Sequence, residues 1–244
     1  MTPILQAREL SRSFGGIRAL DACSVSIKRG SITGLIGPNG SGKTTLFNLI
    51  TGVYRPDGGD VLLNGRPATG LLPSQICHRG LGRTFQITRL FWDLSVLENM
   101  IVPVRHVGVR ALFGPGQYVD EEKRAMALLE RVGLAHLHNR SAKKLSFGQQ
   151  KLLEFAGVLM SEPDIVLLDE PGGGVNPAMI RFLMDIIRGL NAEGVTFLVV
   201  EHNMGLVMEL CDHVIVLDRG RVIAEGTPAA VRSDPVVLDA YLGD

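Results

Sequence analysis

The chain has 244 residues, of which 45% are hydrophobic, and this is enough to bury a core in one large domain or two small ones. Its 25 Lys and Arg balance 25 Asp and Glu, so the composition does not favour a nucleic-acid-binding protein with a broadly basic surface. The scattered Cys23, Cys77 and Cys211 form no CxxC pair. They argue against a disulfide framework or a zinc site, and we expect small core-filling thiols.

Targeting and membrane-spanning patterns are both missing from the sequence. The opening MTPILQAREL lacks a long apolar run and carries charge early, unlike a signal peptide. No window reaches the ~20 apolar residues of a membrane span. The longest apolar runs, at 165–168 and 197–200, have the length of a strand. We therefore expect a soluble or peripheral protein of the cytoplasm.

Short β patterns separated by glycine turns occupy the first part of the chain. They predict strands over 4–10, 23–27, 31–36 and 60–63. A helix is predicted over 42–51, directly after the third of these strands.

The middle of the chain, from about residue 88 to 161, has a mostly helical pattern. Residues 119–134 are amphipathic, with acidic residues predicted in the first turn and Gly133 as a C-cap. Residues 114–116 are expected to form the tip of a loop. This part of the chain is predicted to be a helical insertion.

The last part alternates strands with helices. The predicted strands cover 165–169, 196–200 and 213–218, and the predicted helices cover 177–190 and 204–211, with a turn at 219–220. Apolar runs that alternate with helices favour a parallel sheet buried on both faces. We therefore predict an α/β core that is split in the sequence by the helical insertion.

Residues 37–45, GPNGSGKTT, fit the phosphate-loop pattern G-x-x-x-x-G-K-[ST] between a strand and a helix. The glycines allow the loop to wrap around phosphates, Lys43 brings a charge to the β- and γ-phosphates, and Thr44 is suited to hold Mg²⁺. The predicted nucleotide-binding residues of this loop are Gly37, Pro38, Asn39, Gly40, Ser41, Gly42, Lys43, Thr44 and Thr45. The sequence thus predicts ATP and Mg²⁺ as ligands.

Residues 165–170, IVLLDE, place two acids at the end of a buried strand. Asp169 would lie beside the phosphate loop and bind Mg²⁺ through water. Glu170 could polarise the attacking water. An acidic pair in this position could also be a simple helix cap.

The stretch LSFGQQ at 145–150 holds no base or nucleophile. Its LSFGQ resembles the signature motif of ABC transporter ATP-binding subunits, and the phosphate loop, signature and acidic strand follow that family's order along essentially the whole chain. The resemblance implies two subunits paired head to tail, with each ATP held between one phosphate loop and the other subunit's Ser146, Gly148 and Gln149. The residues agree, because Ser146, the Gly148 N–H and a helix N-terminus are suited to γ-phosphate oxygens.

Three further roles follow from the resemblance. Gln86, in RTFQ at 83–86, would reach Mg²⁺ or the lytic water, although it could be an ordinary surface residue. His202, in EHNM at 201–204, would contact the γ-phosphate, although a lone histidine is usually structural. Phe14 would stack on adenine or belong to the core. The catalytic residues are then Glu170, His202, Gln86 and Lys43, and the metal ligands are Thr44, Gln86 and Asp169.

The fold implied by the family is an α/β P-loop ABC ATPase core with a mixed or parallel sheet, an antiparallel β subdomain and a helical subdomain. We assign 1–87 and 162–244 to the core and 88–161 to the helical subdomain, within one nucleotide-binding domain. Residues 172–177, GGGVNP, match a loop of this family in which many members carry Asp at the position of Asn176. Its three glycines are expected to make the loop permissive, so that coupling between the two sites is weaker.

Several segments resemble the branched-chain, or hydrophobic, amino-acid uptake ATPases. They are residues 83–91, 94–100, 101–118, 148–154, 200–204 and 226–243. Closely similar ATPases serve importers of urea or short amides and lipopolysaccharide exporters, so the cargo stays open. The implied partners are a second ATPase subunit, identical or different, integral membrane permease subunits and, indirectly, a substrate-binding protein. No nucleic acid is expected, and the location is the cytoplasmic face of the plasma or inner membrane.

An apolar cluster follows Gln86, where the family docks its membrane subunits. The cluster consists of Leu90, Phe91, Trp92, Leu94 and Val96. It could be a groove for a partner helix or a local core. Two other classes of protein are alternatives: a soluble ABC protein of DNA repair or translation, and a nucleotide-dependent adaptor that hardly hydrolyses ATP. One cassette without heptads argues against the first, and the intact Lys43, Asp169, Glu170 and His202 argue against the second.

Overall fold

A computed structural model of the protein describes residues 3–84, 89–102 and 116–242. The strands are β1 (Pro3–Phe14), β2 (Ile17–Lys28), β3 (Ile32–Ile36), β4 (Gly58–Leu63), β5 (Arg66–Pro67), β6 (Leu81–Arg83), β7 (Ile165–Asp169), β8 (Thr196–Val200), β9 (His213–Asp218) and β10 (Arg221–Gly226). The helices are α1 (Lys43–Ile50), α2 (Pro73–Cys77), α3 (Val96–Ile101), α4 (Gly116–Arg131), α5 (Phe147–Leu159), α6 (Pro177–Ala192), α7 (Met204–Leu210), α8 (Pro228–Arg232) and α9 (Pro235–Leu242).

The larger of two sheets has the strand order β10-β9-β3-β8-β7-β6. Its β6, β7, β8, β3 and β9 are parallel to their neighbours, and β10 pairs antiparallel with β9 at the edge. The predicted α/β core with a mixed, largely parallel sheet is confirmed. Since parallel strands end at the same edge of a sheet, the residues after β3, β7 and β8 are brought together.

The central strands are buried on both faces. Every residue of β3, β7 and β8 is buried, as expected for the continuous apolar runs of a parallel sheet. Val166 and Leu168 pack into a core with α5, α6 and α7, whereas Ile165 and Leu167 pack into a second core with α1 and the smaller sheet. The two-residue period of the strand therefore divides its side chains between two cores.

The smaller sheet is antiparallel, with the order β2-β1-β4-β5, and confirms the predicted β subdomain. Both of its first two strands are longer than predicted. Strand β1 continues to Phe14, and β2 already begins at Ile17. Gly15 and Gly16, with φ of +51° and +88°, make the turn between them. Register shifts along the β1–β2 pair interrupt the apolar alternation, so the sequence pattern fades before the strands end.

The helical part of the chain packs α3, α4 and α5 against one another. Helix α4 starts at Gly116, before the predicted start at 119, so its first turn carries no acidic residue and the prediction of an acidic first turn is wrong. Gly116 also belongs to this helix and not to a loop tip. The sequence did not predict this earlier start, because residues 116–118 do not show the apolar periodicity of a helix. Gly133 follows α4 with φ of +70°, as expected near a helix C-terminus. Residues 103–115, most of the predicted 101–118 insert, lie outside the described residues.

All three cysteines are free thiols, but only two fill the core. Burial raises the pKa of Cys23 to about 11 and that of Cys211 to about 12. Cys77 is exposed at the end of α2, so the expectation of a buried thiol is wrong there. Within the described ranges, the helices are too short or too polar to cross a membrane.

Candidate active site

The phosphate loop connects β3 to α1 and packs closely against the backbone of Ala19 and Leu217. Gly37 has φ of +150°, and a Cβ there would lie 2.0 Å from the carbonyl oxygen of Leu217. Gly42 has φ of +105°, and a Cβ there would lie 2.6 Å from the carbonyl oxygen of Ala19. Both positions therefore require glycine, for conformation and for space. The loop is a fixed, tight turn at the N-terminus of α1, which is the geometry of a phosphate cradle.

Lys43 is buried under this loop. Its side chain Nζ donates to the carbonyl oxygens of Gly37 at 2.8 Å and Pro38 at 2.7 Å, and lies 3.3 Å from the Ser41 hydroxyl. Burial lowers the pKa of Lys43, and the nearby Glu170 opposes this by favouring the charged form. The loop thus holds a positive charge at the place where the sequence predicts phosphates.

Asp169, at the end of β7, is 6% exposed and lies beside Arg83, whose side chain is 10% exposed. Arg83 Nη2 is 3.1 Å from Asp169 Oδ2, and Arg83 Nη1 donates to Asn48 and Thr51 at the end of α1. Burial raises the pKa of Asp169, while the hydrogen bond and charge of Arg83 lower it. Arg83 therefore fixes this carboxylate, a role that the sequence analysis did not assign.

The residues present fit a magnesium ion that is shared with a nucleotide. Thr44 is exposed in the first turn of α1, and Asp169 supplies a hard carboxylate oxygen. Among the described residues, no group of three or more His, Cys, Asp or Glu converges to hold a metal. Mg²⁺ needs few protein ligands when it also binds phosphate and water. The third predicted ligand, Gln86, lies outside the described residues.

The structure brings together two predicted catalytic residues, Glu170 and His202. His202 Nε2 lies 2.8 Å from Glu170 Oε1. The backbone N–H of Glu170 donates to the carbonyl oxygen of Val200 at 2.9 Å, and this hydrogen bond connects the end of β7 to the end of β8. Glu170 has φ of +49°, an uncommon conformation for a residue with a Cβ. Such a strained backbone conformation persists only where the surrounding structure holds it in place, and it is found at many functional sites.

Glu201 holds the loops after β7 and β8 together, and the sequence analysis missed it. Glu201 is 3% exposed. Oε1 accepts from the Gly172 N–H at 2.6 Å, and Oε2 accepts from the His202 and Asn203 N–H groups at 3.2 and 3.4 Å. We call residues 170–174 and 201–203 the β7–β8 junction. A carboxylate directly after an apolar strand is the signal that could have pointed to it.

The glycine run of this junction is tightly packed at two of its three positions. A Cβ at Gly172 would lie 2.9 Å from Glu201 Oε1. Gly174 has φ of +73°, and a Cβ there would lie 2.9 Å from the Phe147 ring. Asn176 caps α6 by accepting the N–H of Met179 at 2.9 Å. The geometry at Gly172 and Gly174 therefore differs from the permissive loop expected from three glycines.

The predicted signature residues lie at the N-terminus of α5. Ser146 is the N-cap: its hydroxyl accepts the Gln149 N–H, and the Gln149 side chain accepts the Ser146 N–H at 2.9 Å. Ser146 is exposed and Gly148 is half-buried. In the part of the chain that the structure describes, no hydrogen bond joins these residues to the phosphate loop. This exposed helix N-terminus is suited to an anion from another molecule.

Phe14 lies at the tip of the β1–β2 hairpin and is 38% exposed, so it is not a core residue. The Arg12 guanidinium lies over its ring at 4.9 Å, and the Tyr54 ring packs edge-on at 5.3 Å. Arg12 is in turn paired with Asp57 at 2.7 Å. The exposed ring remains available for stacking on a base.

A cleft of about 1170 Å³ opens between the β subdomain and the helical part of the chain. Its lining combines apolar residues, among them Leu63, Ile76, Leu90 and Phe91, with charged residues of both signs. The apolar cluster predicted here divides between the two alternatives, because Val96 is fully buried whereas Phe91 and Trp92 are 50% and 43% exposed. Leu90 and Leu94 are half-buried. The exposed aromatic residues leave an apolar surface beside the cleft.

Two family models match the chain. Residues 20–173 match the ABC transporter family. Residues 221–244 match the family described as branched-chain amino acid ATP-binding cassette transporter.

Curated relatives match over nearly the full length. The high-affinity branched-chain amino acid transport ATP-binding protein BraF of Pseudomonas aeruginosa is 40% identical, over 99% of this chain and 98% of that protein. A probable branched-chain amino acid transport ATP-binding protein LivG of Archaeoglobus fulgidus is 39% identical, over 98% of this chain and 95% of its own length. The high-affinity LivG protein of Escherichia coli is also 39% identical, over 99% and 98%.

Solved structures agree in sequence and in fold. The ADP conformation of an ATP-binding cassette of an ABC transporter is 35% identical, with a TM-score of 0.89 over all of both chains. A dimeric bacterial ABC transporter cassette is 28% identical, with a TM-score of 0.80 over 92% of this chain and 98% of the other. The resemblance carried by the phosphate loop and LSFGQ is confirmed, and the chain belongs to the ATP-binding subunits of ABC transporters, which are ATPases.

Proposed function

We propose that this chain is the ATP-hydrolysing, energy-coupling subunit of an ABC importer for branched-chain or other hydrophobic amino acids. The contact between Glu170 and His202, 2.8 Å apart beside Lys43 and Asp169, supports the chemistry most directly. The assignment of the cargo is supported by the relatives named for branched-chain amino acid transport and by the C-terminal match over residues 221–244. The nucleotide site itself does not contact the cargo.

The geometry supports a distinct role for each residue in hydrolysis. The loop N–H groups and Lys43 bind the β- and γ-phosphates, and Phe14 stacks on the base. Thr44 and Asp169 hold Mg²⁺, which neutralises phosphate charge when bound. Glu170 polarises the attacking water, and His202 orients Glu170 and the γ-phosphate. Gln86 is proposed to complete the metal and water contacts.

The second half of each site is proposed to come from another subunit. Ser146, Gly148 and Gln149 lie at an exposed helix N-terminus that can face the γ-phosphate of ATP bound by a second chain. The dimeric form of a solved cassette with the same fold supports this arrangement. The second ATPase subunit is a copy of this chain or a different one.

The cleft beside Phe91 is proposed to receive a cytoplasmic helix of the permease subunits. The apolar part of its lining, which includes Leu90 and Phe91, and the exposed Trp92 next in sequence suit a helix-in-groove contact. We propose that residues 1–87 and 162–244 act as the ATP-binding core and residues 88–161 as the helical subdomain. In this arrangement the chain lies at the cytoplasmic face of the membrane and serves a substrate-binding protein only indirectly.

Glu170→Gln tests the proposal. This variant should bind ATP but lose turnover by about 10²–10⁴-fold, since it lacks the general base. Its mass in solution, measured by light scattering, should double on addition of Mg-ATP if copies of the chain pair. A monomer that binds ATP would instead assign the signature to a different ATPase chain. Wild-type turnover in Glu170→Gln would overturn the proposed role, and Glu225→Gln, at an exposed position of β10, is the matched control.

A further inference from the structure

Lys151 extends from α5, the helix that begins in the signature, to Glu170 in the β7–β8 junction of the same chain. Its Nζ donates to the backbone carbonyl oxygen of Glu170 at 2.9 Å. The same ammonium lies over the Phe147 ring, 5.4 Å from its centre. One half-buried side chain therefore contacts the first residue of the signature helix and the backbone of the proposed general base.

The backbone of Glu170 needs this support. Its φ of +49° is costly for a residue with a Cβ and must be held by its surroundings. Among the described residues, the Gly173 N–H, at 3.1 Å, and Lys151 both donate to the carbonyl oxygen of Glu170. Lys151 supplies the charged donor, which makes the stronger kind of hydrogen bond.

The charges around Lys151 favour its protonated form. Burial lowers the pKa of Lys151, and four carboxylates oppose this shift: Glu201, Glu154, Glu170 and Asp169. Two of these belong to the acidic end of β7, and Glu201 belongs to the β7–β8 junction. These four carboxylates therefore offset part of the cost of burying the ammonium.

The start of α5 also touches the far end of the same loop. The Phe147 ring occupies the space beside Gly174, where a Cβ would lie 2.9 Å from it. Gly148 packs against Met179 of α6, where a Cβ would lie 3.3 Å from the methionine Cε. A displacement of α5 would thus move both ends of the loop 170–174, through Lys151 at Glu170 and through Phe147 at Gly174.

We propose that Lys151 is a positioning residue that ties the signature helix to the backbone of Glu170 in the same chain. The proposal rests on the proposed function, in which the signature binds ATP held by the other subunit. Engagement of the signature at one site then acts, through α5 and Lys151, on the general base of the other site. The two composite sites would be coupled by a contact within each chain.

Lys151→Met should lower kcat roughly tenfold, as expected for a lost charge-assisted hydrogen bond, and leave KM for ATP within about twofold. Lys151→Arg should restore most of the turnover, because a guanidinium can donate to the same carbonyl. Lys144→Met, at an exposed position before the signature, is the matched control and should match the wild type. A wild-type kcat in Lys151→Met would overturn the proposal, and so would equal losses in kcat and ATP affinity.

Amide hydrogen exchange of the nucleotide-free chain gives a second readout that needs no turnover. The peptide over residues 168–175 should exchange faster in Lys151→Met than in the wild type or Lys144→Met, while the central strands keep their protection. Unchanged exchange there would overturn the link. Exchange that rises throughout the chain would show general destabilisation instead and would also overturn it. If Glu170→Gln retains turnover, the proposed function fails, and the exchange result still decides whether Lys151 holds this loop.

Discussion

The phosphate loop and the β7–β8 junction contribute to one site but are assembled differently. Residues 37–45 form the loop from one continuous stretch, and Lys43 bonds to carbonyl groups only five and six residues away. The junction joins stretches that are distant in sequence, because Glu201 bonds to Gly172 and Lys151 bonds to Glu170. The first kind of structure can be recognised as a motif, whereas the second becomes visible only in the fold.

Among the variants at Lys43, Glu201 and the glycines of the junction, the largest effect is expected at Lys43 in the phosphate loop. Lys43→Met removes the charge beneath the loop and the two hydrogen bonds from the ammonium to the Gly37 and Pro38 carbonyls. We expect ATP turnover to fall by about 10²–10³-fold, as for the loss of a preorganised charge-stabilising donor. Turnover and ATP binding by equilibrium dialysis measure this, with the exposed Lys123→Met as control. Unaltered ATP affinity and turnover would show that the loop binds phosphate without Lys43.

An intermediate effect is expected from Glu201→Gln in the junction. The amide keeps the shape but turns an NH₂ group towards backbone N–H donors on one side of the carboxylate site, so at least one of them loses its acceptor. An unpaired buried donor costs about 1–3 kcal/mol, and we expect turnover to fall roughly tenfold with a lower melting temperature. Glu122→Gln, exposed on α4, is the control. If turnover and melting both stay at wild-type values, the junction does not depend on Glu201.

The smallest effect is a difference in ATPase activity between alanine variants of two neighbouring glycines, Gly172 and Gly173. In Gly172→Ala the new Cβ would lie 2.9 Å from Glu201 Oε1 and 3.1 Å from Leu206 Cδ1, whereas in Gly173→Ala its nearest neighbour is 3.3 Å away. Crowding of this kind costs on the order of 1 kcal/mol, so we expect a several-fold loss of ATPase activity in Gly172→Ala and a smaller loss in Gly173→Ala. Steady-state phosphate release compares the two variants. The reverse order of activities would contradict this packing.

The sequence predicted most of the fold because its signals were local. The apolar runs at 165–169 and 196–200 are fully buried strands, and 37–45 is the loop its motif describes. The start of α4 was misplaced because residues 116–118 carry no apolar period, and Cys77 was assigned to the core although α2 leaves it exposed. Glu201 and Lys151 were missed for another reason: their partners, Gly172 and Glu170, are 29 and 19 residues away. Such pairs depend on strand order and helix packing, which no short pattern encodes.

Trp92 gives this protein a built-in optical reporter. It is the chain's only tryptophan and is 43% exposed, directly after Phe91, which lines the cleft. Its backbone is fixed from the other side, since the carbonyl of Trp92 accepts the Ser141 hydroxyl at 3.0 Å and the Lys143 N–H at 3.3 Å. Burial of this indole under a permease helix would shift its emission to shorter wavelength. The proposed docking of a permease helix can therefore be tested by intrinsic fluorescence of the unlabelled chain, independently of ATP turnover.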